Sequence, residues 1–126
     1  MSVQSSRERN ITISSLVKMK QAGEKFACLT AYDYCSAYAA SDCGVEVILV
    51  GDSLGMVMLG DATTKHVTME DMVRHTSAVR KGVKRALLVT DMPIDSFITP
   101  DQAVVNANLM CGFEESEGIP KIAYVP

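Results

Sequence analysis

Residues 45–56 read VEVILVGDSLGM. The first six are apolar except for Glu46 and are dominated by β-branched side chains. Such a run reads as a strand buried on both faces, the signature of a parallel sheet rather than of an antiparallel one with a wet side. Gly51 closes the strand, and Asp52 and Ser53 follow at once in a Gly-containing loop that runs to Val67. Upstream, Ser36–Cys43 has helical character and is stopped by Gly44, and Phe26–Ala31 is a second strand. Before that, Ser14–Ala22 is a short amphipathic helix ended by Gly23.

Downstream, Thr68 caps a helix with Asp71 three residues on. Met69, Met72, Val73, Thr76, Val79 and Val83 fall along one stripe of it, the spacing of a core-facing helix. Arg80 and Lys81 suit the negative end of the helix dipole before the Gly82 stop. Ala86–Thr90 is the third strand. Thr99 and Gln102 form a capping box, and Pro100 at the first helical position lacks only an N–H that would have no partner there. That helix runs to about Cys111, with Gly112 as its stop, and Ile119–Val125 is a fourth, poorer strand.

Apolar strands alternating with helices mean a parallel sheet covered by helices. A doubly wound sheet and part of a (β/α)₈ barrel both fit. No G-x-G-x-x-G follows the first strand, which disfavours the dinucleotide-binding version. A whole barrel takes roughly 250 residues, and the chain has 126. Residues 1–126 read as one unit, with 1–11 as a polar tail and both architectures still open.

Composition narrows the function. With 48% apolar and 21% charged residues the chain is globular, not disordered. A net charge of −3 gives no support for nucleic acid or an anionic membrane as partner. No apolar run is long enough for a membrane span, and residues 1–10 lack the apolar core of a signal peptide. Cys28, Cys35, Cys43 and Cys111 show no C-x-x-C pairing and read as reduced, packed thiols, which places the protein in the cytoplasm. The eight methionines read as packing.

In parallel α/β folds the chemistry sits just past the C-terminal ends of the strands. Asp33, Asp52 and Asp91 occupy those positions after three successive strands. Asp33 reads as the cap of the next helix. Asp52 is followed by no immediate helix and is flanked by small residues, and Met92-Pro93 after Asp91 rules out an ordinary helix start. Two carboxylates facing one cavity suit Mg²⁺, which takes one or two of them and fills its shell with water and substrate oxygens. A 2-oxo acid offers two such oxygens. Paired acids on a parallel sheet also suit phosphoryl transfer. His66, Lys65, Tyr32 and His75 are weaker candidates: His75 lies off the apolar stripe and reads as a surface or packing residue, and Tyr32 either lines the pocket or covers the barrel end.

TAYD at 30–33, LVGDSLGM at 49–56, the loop 63–68, HTSAVRKG at 75–82, LLVTDMP at 87–93 and TPDQAVVNANLM at 99–110 together resemble the ketopantoate hydroxymethyltransferase family, in order and with its spacing. The resemblance covers roughly residues 12–110. It implies the N-terminal half of a (β/α)₈ TIM barrel of the phosphoenolpyruvate mutase and isocitrate lyase type, so that residues 1–126 form a single partial barrel domain with 111–126 as a divergent C-terminal segment. It implies transfer of a hydroxymethyl group from 5,10-methylenetetrahydrofolate to 3-methyl-2-oxobutanoate, giving 2-dehydropantoate on the way to pantothenate. Mg²⁺ as cofactor, a 2-oxo acid and folate as small-molecule partners, and a homo-oligomer are implied with it. Asp52 and Asp91 resemble the family's aspartate Mg²⁺ ligands, and Asp52, Ser53 and Asp91 its oxo-acid contacts. After Met110 the pattern departs. The family's Lys-x-Glu strand is replaced by a segment in which Lys121 is followed by Ala123, and Glu114, Glu115 and Glu117 do not take over the metal role. The family's general base lies on a much later strand, so no catalytic base is expected in this chain. Two other outcomes fit: a non-catalytic fragment docking onto itself or a full-length subunit, and another Mg²⁺-dependent lyase or mutase of the superfamily.

Overall fold

A computed structural model describes residues 9–111 and the backbone of 122–125. Helix α1 spans Ile13–Gln21 and strand β1 Cys28–Thr30, followed by α2 (Tyr34–Asp42) and β2 (Val47–Val50). Then come a one-turn helix α3 (Leu54–Val57), a 3₁₀ turn (Thr64–His66), α4 (Met69–Gly82), β3 (Leu87–Asp91), α5 (Pro100–Cys111) and β4 (Ile122–Val125).

Local chemistry accounts for the boundaries. Thr12 and Ser15 form a reciprocal capping box at α1, and Thr68 and Asp71 form another at α4. Asp33 caps α2, accepting from the Ser36 N–H at 2.8 Å. At α5 the Thr99 hydroxyl accepts from the Gln102 N–H, but the Gln102 amide oxygen reaches one residue further back than a capping box requires and accepts from the Ile98 N–H. The loop after β2 differs most from expectation, since it holds α3 and the 3₁₀ turn. A four-residue helix has no stability of its own; completely buried Leu54 pins it to the core.

All four strands are parallel and lie in chain order, β1-β2-β3-β4. Ile48 and Val50 of β2 and Leu88 of β3 pack in one cluster with Ala37 of α2, Met72 and Val79 of α4 and Met110 of α5. These helices thus share one face of the sheet, whereas a doubly wound fold would place them on both. Sequential parallel strands with helices on a single face make the arc of a β/α barrel. Among the described residues β1 and β4 have one strand neighbour each.

Two readings need correction. Cys28, Cys35 and Cys43 are exposed and Cys111 is half-buried; none forms a disulfide among the described residues, and most are not packed. Met72, Met92 and Met110 are core residues, yet Met56 and Met58 are exposed. The first three cysteines miss the core because β1 is an edge strand and α2 turns Cys35 and Cys43 away from the sheet.

Candidate active site at the strand C-termini

Tyr32, Asp52 and Asp91 stand at the C-terminal ends of β1, β2 and β3, three neighbouring strands. The Asp52 backbone N–H donates to Asp91 Oδ2 at 3.1 Å. Gly51 makes this approach possible. A Cβ there would stand 2.9 Å from Ser53 Oγ and 3.4 Å from Asp91 Oδ2, so both oxygens converge over its bare Cα. Burial raises the Asp91 pKa; the Asp52 N–H opposes that rise and the nearby Asp52 charge adds to it. Asp52 and Asp91 are thus close enough to repel, and each is half-buried.

Ser53 precedes α3 with right-handed helical backbone angles, not the extended ones of a capping serine, and its side chain makes no capping bond. Ser53 Oγ instead pairs with the Tyr32 hydroxyl at 2.9 Å. Tyr32 is held in turn by His75, whose Nδ1 lies 2.7 Å from the Tyr32 carbonyl oxygen. A carbonyl only accepts, so Nδ1 carries a proton and donates it. Beneath the site the Thr76 and Thr90 hydroxyls bond at 2.9 Å and tie α4 to β3.

Of the residues singled out in the sequence, Asp52, Ser53 and Asp91 come together at one rim. Asp33 serves as a helix cap. Lys65 and His66 are exposed on the 3₁₀ turn. Lys121, Glu114, Glu115 and Glu117 lie outside the described residues, and Ala123 is described only as backbone of β4. The sequence reading missed the Tyr32–Ser53 pair and the His75 anchor; only the rim position of Tyr32 hinted at them. Among the described residues no group of three His, Cys, Asp or Glu converges as a ready metal cage. Two carboxylates without a third are still a donor set that fits Mg²⁺, which keeps water or substrate oxygens in its remaining positions. A cavity of about 300 Å³ opens at the opposite, N-terminal end of the strands, lined by Asn10, Ser41, Asp42, Cys43, Gly44, Lys84 and Arg85. It is remote from the carboxylates and belongs to the end of such folds that serves stability.

Parallel strands in chain order, helices on one face and acids at the strand C-termini define an arc of a β/α barrel with its chemistry at the strand C-termini. Solved structures agree on the fold. 2,3-Dimethylmalate lyase, a member of the phosphoenolpyruvate mutase and isocitrate lyase superfamily, superposes with a TM-score of 0.59 at 17% identity, over 79% of this chain and 36% of its own. Oxaloacetate acetylhydrolase gives 0.57 at 14%, over 80% and 36%. Phosphonopyruvate hydrolase in complex with oxalate and Mg²⁺ gives 0.51 at 16%, over 63% and 28%.

The chain belongs to the ketopantoate hydroxymethyltransferase family, whose sequence profile matches residues 10–119. The 3-methyl-2-oxobutanoate hydroxymethyltransferase of Shewanella loihica is 54% identical over 100 residues, 79% of this chain and 38% of the relative. Its counterpart from Methylococcus capsulatus is 52% identical over 97 residues, covering 77% and 36%. The chain thus spans little more than a third of the length of these relatives.

Proposed function

We propose that this chain carries the metal and oxo-acid part of a hydroxymethyltransferase site. That site moves a one-carbon unit from 5,10-methylenetetrahydrofolate to 3-methyl-2-oxobutanoate and gives 2-dehydropantoate. The observation that supports it is the Asp91 carboxylate accepting from the Asp52 backbone N–H, with Ser53 Oγ and Asp91 Oδ2 both facing the bare Cα of Gly51. Identity above 50% to hydroxymethyltransferases, against 14–17% to the other superfamily members, favours this chemistry over another lyase or mutase.

Asp52 and Asp91 are the proposed Mg²⁺ ligands and, with Ser53, the proposed contacts of the oxo acid. A bound Mg²⁺ supplies the positive charge that relieves their repulsion and polarises a keto oxygen. Ser53 donates a hydrogen bond to an oxygen of the anionic substrate. Tyr32 and the short α3 turn wall the site on the β1 side. The base that takes the proton from the carbon next to the keto group is assigned to a later strand of a whole barrel. A homo-oligomer and a cytoplasmic location complete the proposal, the latter consistent with four cysteines that form no disulfide among the described residues. No helix among the described residues is long and apolar enough to cross a membrane.

Titration calorimetry with Mg²⁺, alone and with 3-methyl-2-oxobutanoate, tests the assignment. Weak Mg²⁺ binding that the oxo acid strengthens, and that Asp52→Asn with Asp91→Asn abolishes, is the expected result. Binding left intact by the double substitution removes both residues from the site.

A further inference from the structure

We propose that Tyr32 and His75 are positioning residues that set the direction of the Ser53 hydroxyl proton, so that it points at the bound 2-oxo acid. The inference rests on the oxo-acid reading of the Asp52–Ser53–Asp91 rim and adds to it how that rim is held.

Three observations carry it. Ser53 precedes α3 with right-handed helical backbone angles, and its hydroxyl is not taken up by capping that helix. Its oxygen is given to Tyr32 instead, across 21 residues of sequence at 2.9 Å. Tyr32 is itself fixed from behind, because His75 of α4 grips its carbonyl oxygen at 2.7 Å, across 43 residues. A hydroxyl has one proton to give. If Ser53 donated it to Tyr32, only acceptor lone pairs would face the substrate, and a 2-oxo acid presents acceptors alone. The arrangement works for an anionic oxo acid when the Tyr32 O–H donates to Ser53 Oγ and the Ser53 O–H donates to the ligand. The phenol then removes the wrong orientation of Ser53 from the ensemble. The imidazole Nδ1–H holds the backbone of the β1–α2 loop so that the phenol stays within reach. The hydrogen bonds of Tyr32 and His75 go to Ser53 and to the Tyr32 carbonyl, not to the carboxylates of Asp52 and Asp91. Their effect should therefore fall on the oxo acid and not on the metal.

The test uses the 126-residue chain. Calorimetry measures binding of Mg²⁺ alone and of 3-methyl-2-oxobutanoate at saturating Mg²⁺. Loss of one hydrogen bond to a partner that orders an anion contact predicts about a tenfold weaker oxo-acid affinity in Tyr32→Phe. Mg²⁺ affinity without oxo acid should stay as in the unmodified chain, which a general loss of structure would not allow. His75→Leu should weaken oxo-acid binding similarly. His75→Asn, whose amide N–H lies near the place of Nδ1, should restore it. Ring ¹⁵N shifts of His75 should report the proton on Nδ1. Oxo-acid binding in Tyr32→Phe equal to that of the unmodified chain overturns the proposal, as does a ring protonated on Nε2 with a bare Nδ1. Absence of Mg²⁺-dependent oxo-acid binding in the unmodified chain is a different result: it removes the oxo-acid reading itself, and the role of Tyr32 falls with it.

Discussion

Ionised Asp91 works against the fold that presents it. Burial and the neighbouring Asp52 charge hold its pKa above the unfolded value near 3.8. An acid with a raised folded pKa binds its proton more tightly in the native state, so stability falls as pH rises from about 3.8 through the folded value. Asp91→Asn keeps an oxygen to accept the Asp52 N–H while removing the charge. In the absence of divalent cations the variant should therefore unfold at higher denaturant concentration than the parent at pH 7. The difference should vanish at pH 3, and paired urea melts at the two pH values measure it. Equal or lower stability of the variant at pH 7 would mean that the site carries no such strain. Asp33 runs the other way, since the Ser36 N–H lowers its pKa and its contribution is lost only as acid protonates it. The position of Asp91 and the capping role of Asp33 were legible in the sequence, because strand ends followed by acids are read from the sequence alone. The Tyr32–Ser53 and His75–Tyr32 bonds were not, because nothing local marks a partner 21 or 43 residues away.

Gly82 shows how a correct boundary can hide its cause. The sequence reading takes it as a helix stop after Arg80 and Lys81, and α4 does end there. Its backbone is not in the left-handed region, however, so conformational freedom is not the reason for glycine. A Cβ at Gly82 would stand 2.6 Å from the Tyr34 carbonyl oxygen, 2.8 Å from the Tyr38 nitrogen and 3.1 Å from Ala37 Cβ. The last turn of α4 therefore lies directly against the backbone of α2, and only a hydrogen fits between them. Two of those obstacles are backbone atoms that cannot swing aside. Gly82→Ala should push α2 and α4 apart at a cost of about 1–3 kcal/mol, the usual range for overpacking. Thermal melts of the variant should show the loss, and a stability equal to the parent would mean that the helices are not so closely seated. Helix α3 escaped the sequence reading for a related reason. Leu54–Val57 is too short to signal by periodicity, and burial of Leu54 against the rest of the core decides its conformation.

The arc of four strands determines how the chain behaves in solution. Ile48, Val50 and Leu88 are completely buried under the helices, so the outer layer of the barrel is packed where α2, α4 and α5 cover it. Cover fails at the β1 end. Leu29 keeps 51% of its surface exposed and Phe26 42%, and Ile13 and Val17 of α1 are 63% and 48% exposed. A second apolar area follows α3, where Met56, Val57, Met58 and Leu59 are all exposed, and a third lies on α5 with Val104, Val105 and Leu109. Single exposed apolar side chains are ordinary on any surface; runs of them beside an open sheet edge mark contact sites or aggregation hazards. Covering one such side chain is worth roughly 1.5–3 kcal/mol, while a domain's whole stability is about 5–15 kcal/mol. Association that covers even a few of them therefore competes with folding as a monomer. The 126-residue chain by itself should be folded but self-associated, and should bind a dye for apolar surface. Size-exclusion chromatography with light scattering, together with a fluorescent probe of apolar surface, measures this directly. A sharp monomer peak with cooperative unfolding and no dye binding would show that the arc closes on its own, as a self-contained open sheet does and a barrel segment with unpaired edges does not.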